Sequence, residues 1–270
     1  MDVYPYLAAL QPADAFLKLA RADEHLDSLE AEIQRWAATH PYRIIQERDD
    51  ESGTTIVYAE PTGEPPLKLA LILGDVVQNI RACLDHLALA LAERKYGGPL
   101  PEEAQRESQF PICDTPGQFA RARKRDIPEI ADEAQAVIEK VQPYAENGGG
   151  RNPLAILNEL SNHDKHRRLP LVAQHARLTT ADVPAEHWQA KEFELNFPRV
   201  FEERTELFRS RGLQDASGNE LDVDFRLAVT VAFSDQAPPA VARRHVQPVL
   251  DEIFLHIGRE VVLPLRPYLE

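Results

Sequence analysis

The sequence predicts an α+β fold, a mainly helical bundle with an interleaved antiparallel β-sheet. Three observations carry that expectation. Long stretches place apolar residues at three- and four-residue spacing, a turn-bounded pair of β-branched runs occupies 43–59, and the period changes to two between 171 and 235. The expected organisation is a helical core made of 1–170 and 236–270, with the hairpin 43–59 inserted in it. A group of antiparallel strands, 171–235, then packs with that hairpin.

Taken in order, residues 12–38 read as an amphipathic helix with Leu19, Ala22, Leu26, Leu29, Ile33 and Trp36 on one face, ended near Pro41. YRIIQER, the turn-rich DDESG and TTIVYAE form the hairpin signal. The linker PTGEPP at 61–66 launches a second long helix over 67–95. Two shorter helices are expected at 115–124 and 127–141, with the segment Phe110-Pro111-Ile112 before them. Asn152-Pro153 is a cap residue followed by a proline at the first helical position, so a helix starts there and runs to about Arg167, short of Pro170. The cleanest strand alternates Val223, Phe225, Leu227, Val229, Val231 and Phe233 with mostly polar or small residues, and Phe193, Leu195 and Phe197 mark another. A last helix is expected over 239–263.

Composition narrows the function classes. Hydrophobic residues are 43% and charged residues 27% of the 270, which is ordinary for a globular chain and unlike disorder. A net charge of −14 disfavours indiscriminate coating of nucleic acid or of anionic membrane. Local basic clusters break the acidic background at Arg121, Arg123, Lys124 and Arg125, and again at Lys165, His166, Arg167 and Arg168. Two cysteines without CxxC spacing, Cys83 and Cys113, fit a reducing compartment. The N-terminus lacks the basic start and apolar run of a signal peptide, and no apolar stretch reaches membrane-spanning length. The expectation is a cytoplasmic protein with no membrane attachment. No P-loop, GxGxxG, GxSxG or HExxH is present, and no cofactor is expected.

The 67–95 helix is the informative one. Leu73, Val76, Val77, Ile80, Leu84, Leu87 and Leu91 form one stripe, yet between Leu69 and Ala92 the only formal charges are Asp75, Arg81 and Asp85. Gln78, Asn79 and His86 are the other polar groups, and the rest of the circumference is mostly small. Such a helix is packed on most sides, and its polar groups need partners. Arg81 and Asp85 are one turn apart and can meet. Arg81 and His86 diverge by about 140° and cannot converge on one atom within a straight helix, so a second protomer or an enveloping cleft is required to combine them. In the 152–167 helix, Asp164 falls on the stripe of Leu157 and Leu160, and a carboxylate there needs a cation opposite, with Arg81 or His86 the expected partner.

RACLDH at 81–86 and NHDKHR at 162–167 resemble features of a group of uncharacterised bacterial proteins that carry GDxxxNxRxxLDHL, FPI, QPY and DKHR motifs. Here these stand as Gly74-Asp75, Asn79, Arg81 and Leu84-Asp85-His86-Leu87, then Phe110-Pro111-Ile112, Gln142-Pro143-Tyr144 and Asp164-Lys165-His166-Arg167, so the resemblance spans roughly 20–170. The spacing Arg81-x4-His86 also resembles the R-x4–6-H motif of the HEPN superfamily, whose members include toxin and antiviral ribonucleases. That resemblance implies a HEPN-like bundle working as a homodimer on an RNA substrate without metal, possessing in some members a neutralising or regulatory protein partner. It implies that Arg81 and His86 are catalytic, with Asp85, Asp164 and Asn79 orienting them. Lys165, His166 and Arg167, with Arg121, Arg123, Lys124 and Arg125, would then contact phosphate. Ala82 departs from the polar residue common after the superfamily's arginine, and the sheet is an addition to an all-helical fold.

The same residues admit other readings. Arg81, Asp85, His86 and Asp164 equally suit a buried ion-pair network in a non-catalytic scaffold or interaction protein. His163 and His166, three apart on a helix, suit a metal-dependent hydrolase with Asp164 and His86 as further ligands, although His163 and Asp164 point about 100° apart. Arg35-x4-His40 is a second match to the HEPN spacing, at a helix end before a proline, and reads as surface.

Overall fold

A computed structural model describes residues 14–145, 152–180, 192–195, 204–212 and 225–270. Within them the chain is α+β, with seven α-helices and two antiparallel sheets. Helix α1 (Asp14–Ala37) buries the face read from its periodicity, from Leu19 through Trp36. Strands β1 (Tyr42–Asp49) and β2 (Thr54–Pro61) pair in one register from Tyr42↔Pro61 to Asp49↔Thr54. Their turn is fastened by Asp49, which accepts from the Glu51 N–H at 3.0 Å and the Ser52 hydroxyl at 2.7 Å. Gly53 closes it at φ 66°, in the left-handed region that suits glycine.

Helix α2 (Leu67–Tyr96) packs lengthwise on α1, and Lys68 Nζ reaches Glu32 at 2.8 Å across that seam. Gly97 ends α2 in the left-handed conformation, its N–H bonded to the Glu93 carbonyl. Helices α3 (Glu102–Glu107), α4 (Pro116–Arg125), α5 (Asp132–Lys140) and α6 (Pro153–His166) follow. Asn152 caps α6, its Oδ1 accepting from the Leu154 N–H at 2.8 Å. The expected helix at 127–141 is shortened. Residues 127–131 form a turn instead, because the buried Gln135 amide turns back to bond the Ile127 and Ile130 carbonyls at 3.0 and 2.6 Å.

The strands divide differently from expectation. Strands β3 (Leu171–Thr180) and β6 (Phe225–Phe233) form a two-stranded sheet of their own, whereas β4 (Glu192–Leu195) and β5 (Thr205–Arg211) extend the hairpin in the order β1-β2-β5-β4. Only part of 171–235 therefore shares the hairpin's sheet. Val223 and Phe197 lie outside the described residues.

The expected helix 239–263 is also revised. The chain first turns back on β6: Phe233 exchanges both backbone bonds with Arg243 and Arg244 at 3.0 Å, and Ala232 bridges His245. Helix α7 (Val246–His256) starts only after that bridge. It widens into a π-helical stretch, Ile257–Val262, in the turn ahead of Pro264, which has no N–H to continue the ladder. One apolar core joins α1, α2, α4–α7, the C-terminal turns and the inner faces of the sheets. No described helix is long and apolar enough to cross a membrane.

Candidate functional site

The motif residues converge on one seam, the contact of α2 with the extended segment 109–113 and with α6. Ile80, Leu84 and Leu87 are fully buried, which rotates Arg81 and Asp85 to the edge of the core, with side chains 14% and 32% exposed. Arg81 Nη2 donates to Asp85 Oδ1 at 2.8 Å and to the Phe110 carbonyl at 2.9 Å. Asp85 Oδ1 in turn accepts the Phe110 N–H at 3.0 Å. An ion pair one helical turn apart thus satisfies both backbone groups of Phe110, whose ring is buried in the core. Arg81 Nη1 is buried without a hydrogen-bond partner.

Gln142 holds the same segment from the opposite side. Fully buried, it accepts the Cys113 N–H at 2.8 Å through Oε1 and donates to the Pro111 and Ile138 carbonyls at 2.9 and 3.0 Å. The Phe110-Pro111-Ile112 segment belongs to no strand, and the Phe110 backbone is bonded by side chains of the 81–85 turn while the Pro111 carbonyl and Cys113 N–H are bonded by Gln142. Sequence reading named Gln142 only within a motif and gave it no role. Its signal was weak, an amide directly after an apolar helix stripe.

Burial pushes the Asp85 carboxyl above its ordinary range, against the pull of Arg81, the Phe110 N–H, Lys165 and His86. Cys83, on the same helix and fully buried, has its thiol pushed up to about 12 by desolvation and by the Asp85 charge.

Asp164 does not meet Arg81 or His86. Its Oδ2 accepts from the Gln78 amide at 3.1 Å, and Gln78 also donates to the Ser161 carbonyl at 3.4 Å. The carboxylate abuts Gly74, where the missing side chain lets α6 approach α2. A neutral amide at half-exposed depth replaces the cation that full burial would demand. Asn79 donates to the Asp75 carbonyl at 2.8 Å within its own helix and orients neither Arg81 nor His86. His86 is half-buried and makes no hydrogen bond or ion pair among the described residues.

The basic residues separate into two kinds. In α4, Arg123 is engaged by Asp132 at 2.9 Å and by Gln135, and Arg125 by Asp126 at 2.9 Å, which leaves Arg121 and Lys124 exposed and unpaired among the described residues. At the end of α6, Lys165, His166 and Arg167 are all exposed. None of these three forms an ion pair among the described residues, although Lys165 lies close enough to Asp85 to lower its pKa. No group of three or more His, Cys, Asp or Glu among the described residues is placed to hold a metal, so His163, His166, Asp164 and His86 do not assemble into one. Arg35 is paired with Glu32 on the surface of α1.

Comparisons with protein-family models, with curated proteins and with solved structures find no match to this chain.

Proposed function

We propose that the chain is a HEPN-type protein that binds RNA and cleaves it without metal, working as a homodimer. The observation that carries this reading is His86: a half-buried imidazole with no hydrogen bond among the described residues, on the helix that also carries the pinned Arg81-Asp85 pair. An imidazole left without a partner keeps both ring nitrogens available to a bound substrate, as a general acid–base group requires. In the proposed reaction His86 accepts the proton of a 2′-hydroxyl and the 2′-oxygen attacks the adjacent phosphorus. The bond from phosphorus to the 5′-oxygen breaks, and the imidazolium returns its proton to that oxygen, leaving a 2′,3′-cyclic phosphate.

Arg81 takes a reduced part in this reading. With Nη2 committed to Asp85 and Phe110 and Nη1 buried, it positions the helix surface rather than presenting a guanidinium face to phosphate. Lys165 supplies exposed positive charge near Asp85, and His166 and Arg167 beside it in sequence would extend the contact with phosphate. Homodimerisation follows from the rotation between Arg81 and His86, which a facing copy of α2 overcomes. The proposed setting is cytoplasmic, as a stress or phage-defence toxin whose neutralising partner is a separate protein.

The test is cleavage of total RNA by the purified protein in EDTA, beside His86→Ala, with melting curves for both. Cleavage lost in the variant at an unchanged melting temperature supports the reading. A wild type that binds RNA without cleaving it reduces the proposal to an RNA-binding protein, and one that does neither rejects it.

A second reading, a non-catalytic scaffold or interaction protein, is favoured by the hydrogen bonds of Arg81. Both of its partners lie in the fold, one of them the backbone of a core segment. Under that reading Arg81→Ala unfolds or strongly destabilises the protein, and His86→Ala changes nothing measurable.

A further inference from the structure

A cleft of about 840 Å³ opens on the side of the molecule where the proline-rich linker 61–66, the end of α6, the start of β3 and the turn after β6 meet. Its polar lining includes Arg167, Arg168 and His163, and its apolar lining includes Leu67, Leu171 and Val172. Arg167 and Arg168 are both exposed, and neither forms an ion pair among the described residues. Arg43, Arg106, Arg123, Arg125, Arg209 and Arg244 by contrast sit against carboxylates, and among the described residues Arg167 and Arg168 are adjacent unpaired arginines on one cleft.

The carboxylates at the cleft do not neutralise the pair. Asp235 lines it but both of its carboxylate oxygens are held by Arg243, through Nε and Nη2, which keeps its carboxyl below the usual range. Glu64, on the opposite linker, is the other acidic group of the lining. The partial negative charge at the end of α6 is met by Lys165 in its last turn. Two arginines therefore face the cleft with positive charge to spare.

The walls decide what kind of anion fits. Pro61, Pro65, Pro66 and Pro170 contribute rigid surface without N–H donors, and among the described residues no Phe, Tyr or Trp lines the space. Leu67 and Leu71, one turn apart at the start of α2, stand 65% and 62% exposed, with Leu67 in the lining itself. Single-stranded nucleic acid is ordinarily held by aromatic platforms under its bases. Aliphatic and proline walls beside a guanidinium pair suit an aliphatic chain that ends in a carboxylate or phosphate.

We propose that this cleft is a binding site for a small aliphatic amphiphile with an anionic head, the head on Arg167 and Arg168 and the chain over Leu67, Leu171 and Val172. The site opens at the start of α2, away from His86, and shares only Arg167 with the residues assigned to RNA above. The shared chemistry is an alkyl anion. A carboxylate head and a phosphate head are its two sources.

The experiment is calorimetric titration of the full chain with decanoate, decyl phosphate, decanol and adenosine monophosphate, the alkyl compounds kept below their micellar or solubility limits. The expected result is saturable one-site binding of at least one anion, with the tighter of the two naming the head group, and no saturable binding of decanol. Arg167→Ala and Arg168→Ala, exposed and without ion pairs among the described residues, should keep the wild-type melting temperature and weaken that binding at least tenfold. Leu171→Asp should abolish it. Absence of binding, binding that both arginine variants leave unchanged, or equal binding of decanol overturns the proposal. Preference for adenosine monophosphate over both alkyl anions overturns it in favour of a nucleotide site.

Discussion

The carboxylate of Asp164 occupies the space in which a side chain at position 74 would begin. A Cβ built on Gly74 lies 2.7 Å from Asp164 Oδ1, closer than non-bonded contacts allow, and 3.1 Å from Oδ2, a tight contact. The absent side chain of α2 and the carboxylate of α6 are therefore one feature, with Gln78 holding the carboxylate in place at 3.1 Å.

Gly74→Ala should accordingly destabilise the protein by about 1–3 kcal/mol through overpacking, even though alanine is favoured over glycine in a helix interior by about 1 kcal/mol. In an Asp164→Ala background the same change should be neutral or stabilising. Urea denaturation of the two single variants and the double variant measures this as a coupling energy. Additive effects would show that the carboxylate does not rest on Gly74.

Gln142→Ala removes the partner of a buried N–H and of two buried carbonyls at once. Each stranded group costs about 1–3 kcal/mol, so the variant should lose several kcal/mol or fail to fold at 37 °C. Hydrogen exchange should locate the damage: the Cys113 amide loses protection before those in the middle of α1. A variant of wild-type stability would mean that the 109–113 segment is held by its apolar contacts alone.

Much of this arrangement is legible in the residues, and the part that is not has a common cause. The scarcity of charge around Leu69–Ala92 announces a helix packed on most sides, and Asn152-Pro153 marks the start of α6 to the residue, because both are local properties of the chain. Asp164 on an apolar stripe announces a carboxylate that faces the fold. What faces it is set by how α6 lies on α2, and there a glycine and an amide stand where a cation was expected. The late start of α7 has the same origin. Ala240 and Val241 continue the apolar rhythm, but the bonds from Phe233 to Arg243 and Arg244 tie that stretch to β6, a pairing between residues about ten apart that periodicity does not reveal. The division of the strands into two sheets likewise depends on register between distant segments.

Neither cysteine should react in the native protein. Cys83 is fully buried with its thiol pushed up to about 12, and Cys113 is 7% exposed with its pKa also raised by burial. Since the thiolate is the reactive form, a disulfide reagent at pH 8 should titrate no thiol in the folded state and two in denaturant. Prompt reaction of one thiol under native conditions would show that the seam between α2 and the 109–113 segment opens.

Asp85 should give stability a pH dependence opposite to that of an ordinary ion-paired carboxylate. Burial is the largest influence on it and outweighs Arg81, so its folded pKa is raised above the unfolded value near 3.8. A carboxyl raised on folding contributes stability that is fully present below the unfolded pKa and is lost as pH rises through the folded pKa. Asp85→Asn keeps an acceptor for Arg81 and for the Phe110 N–H but cannot titrate there. The stability of the wild type relative to this variant should therefore increase as pH falls from neutrality toward 4, in denaturation curves taken at matched ionic strength. The background acid loss from other carboxylates is common to both proteins and cancels in the difference. A relative stability that falls on acidification would mean that attraction to Arg81 exceeds the cost of burial, and that the pair behaves as an ordinary surface ion pair.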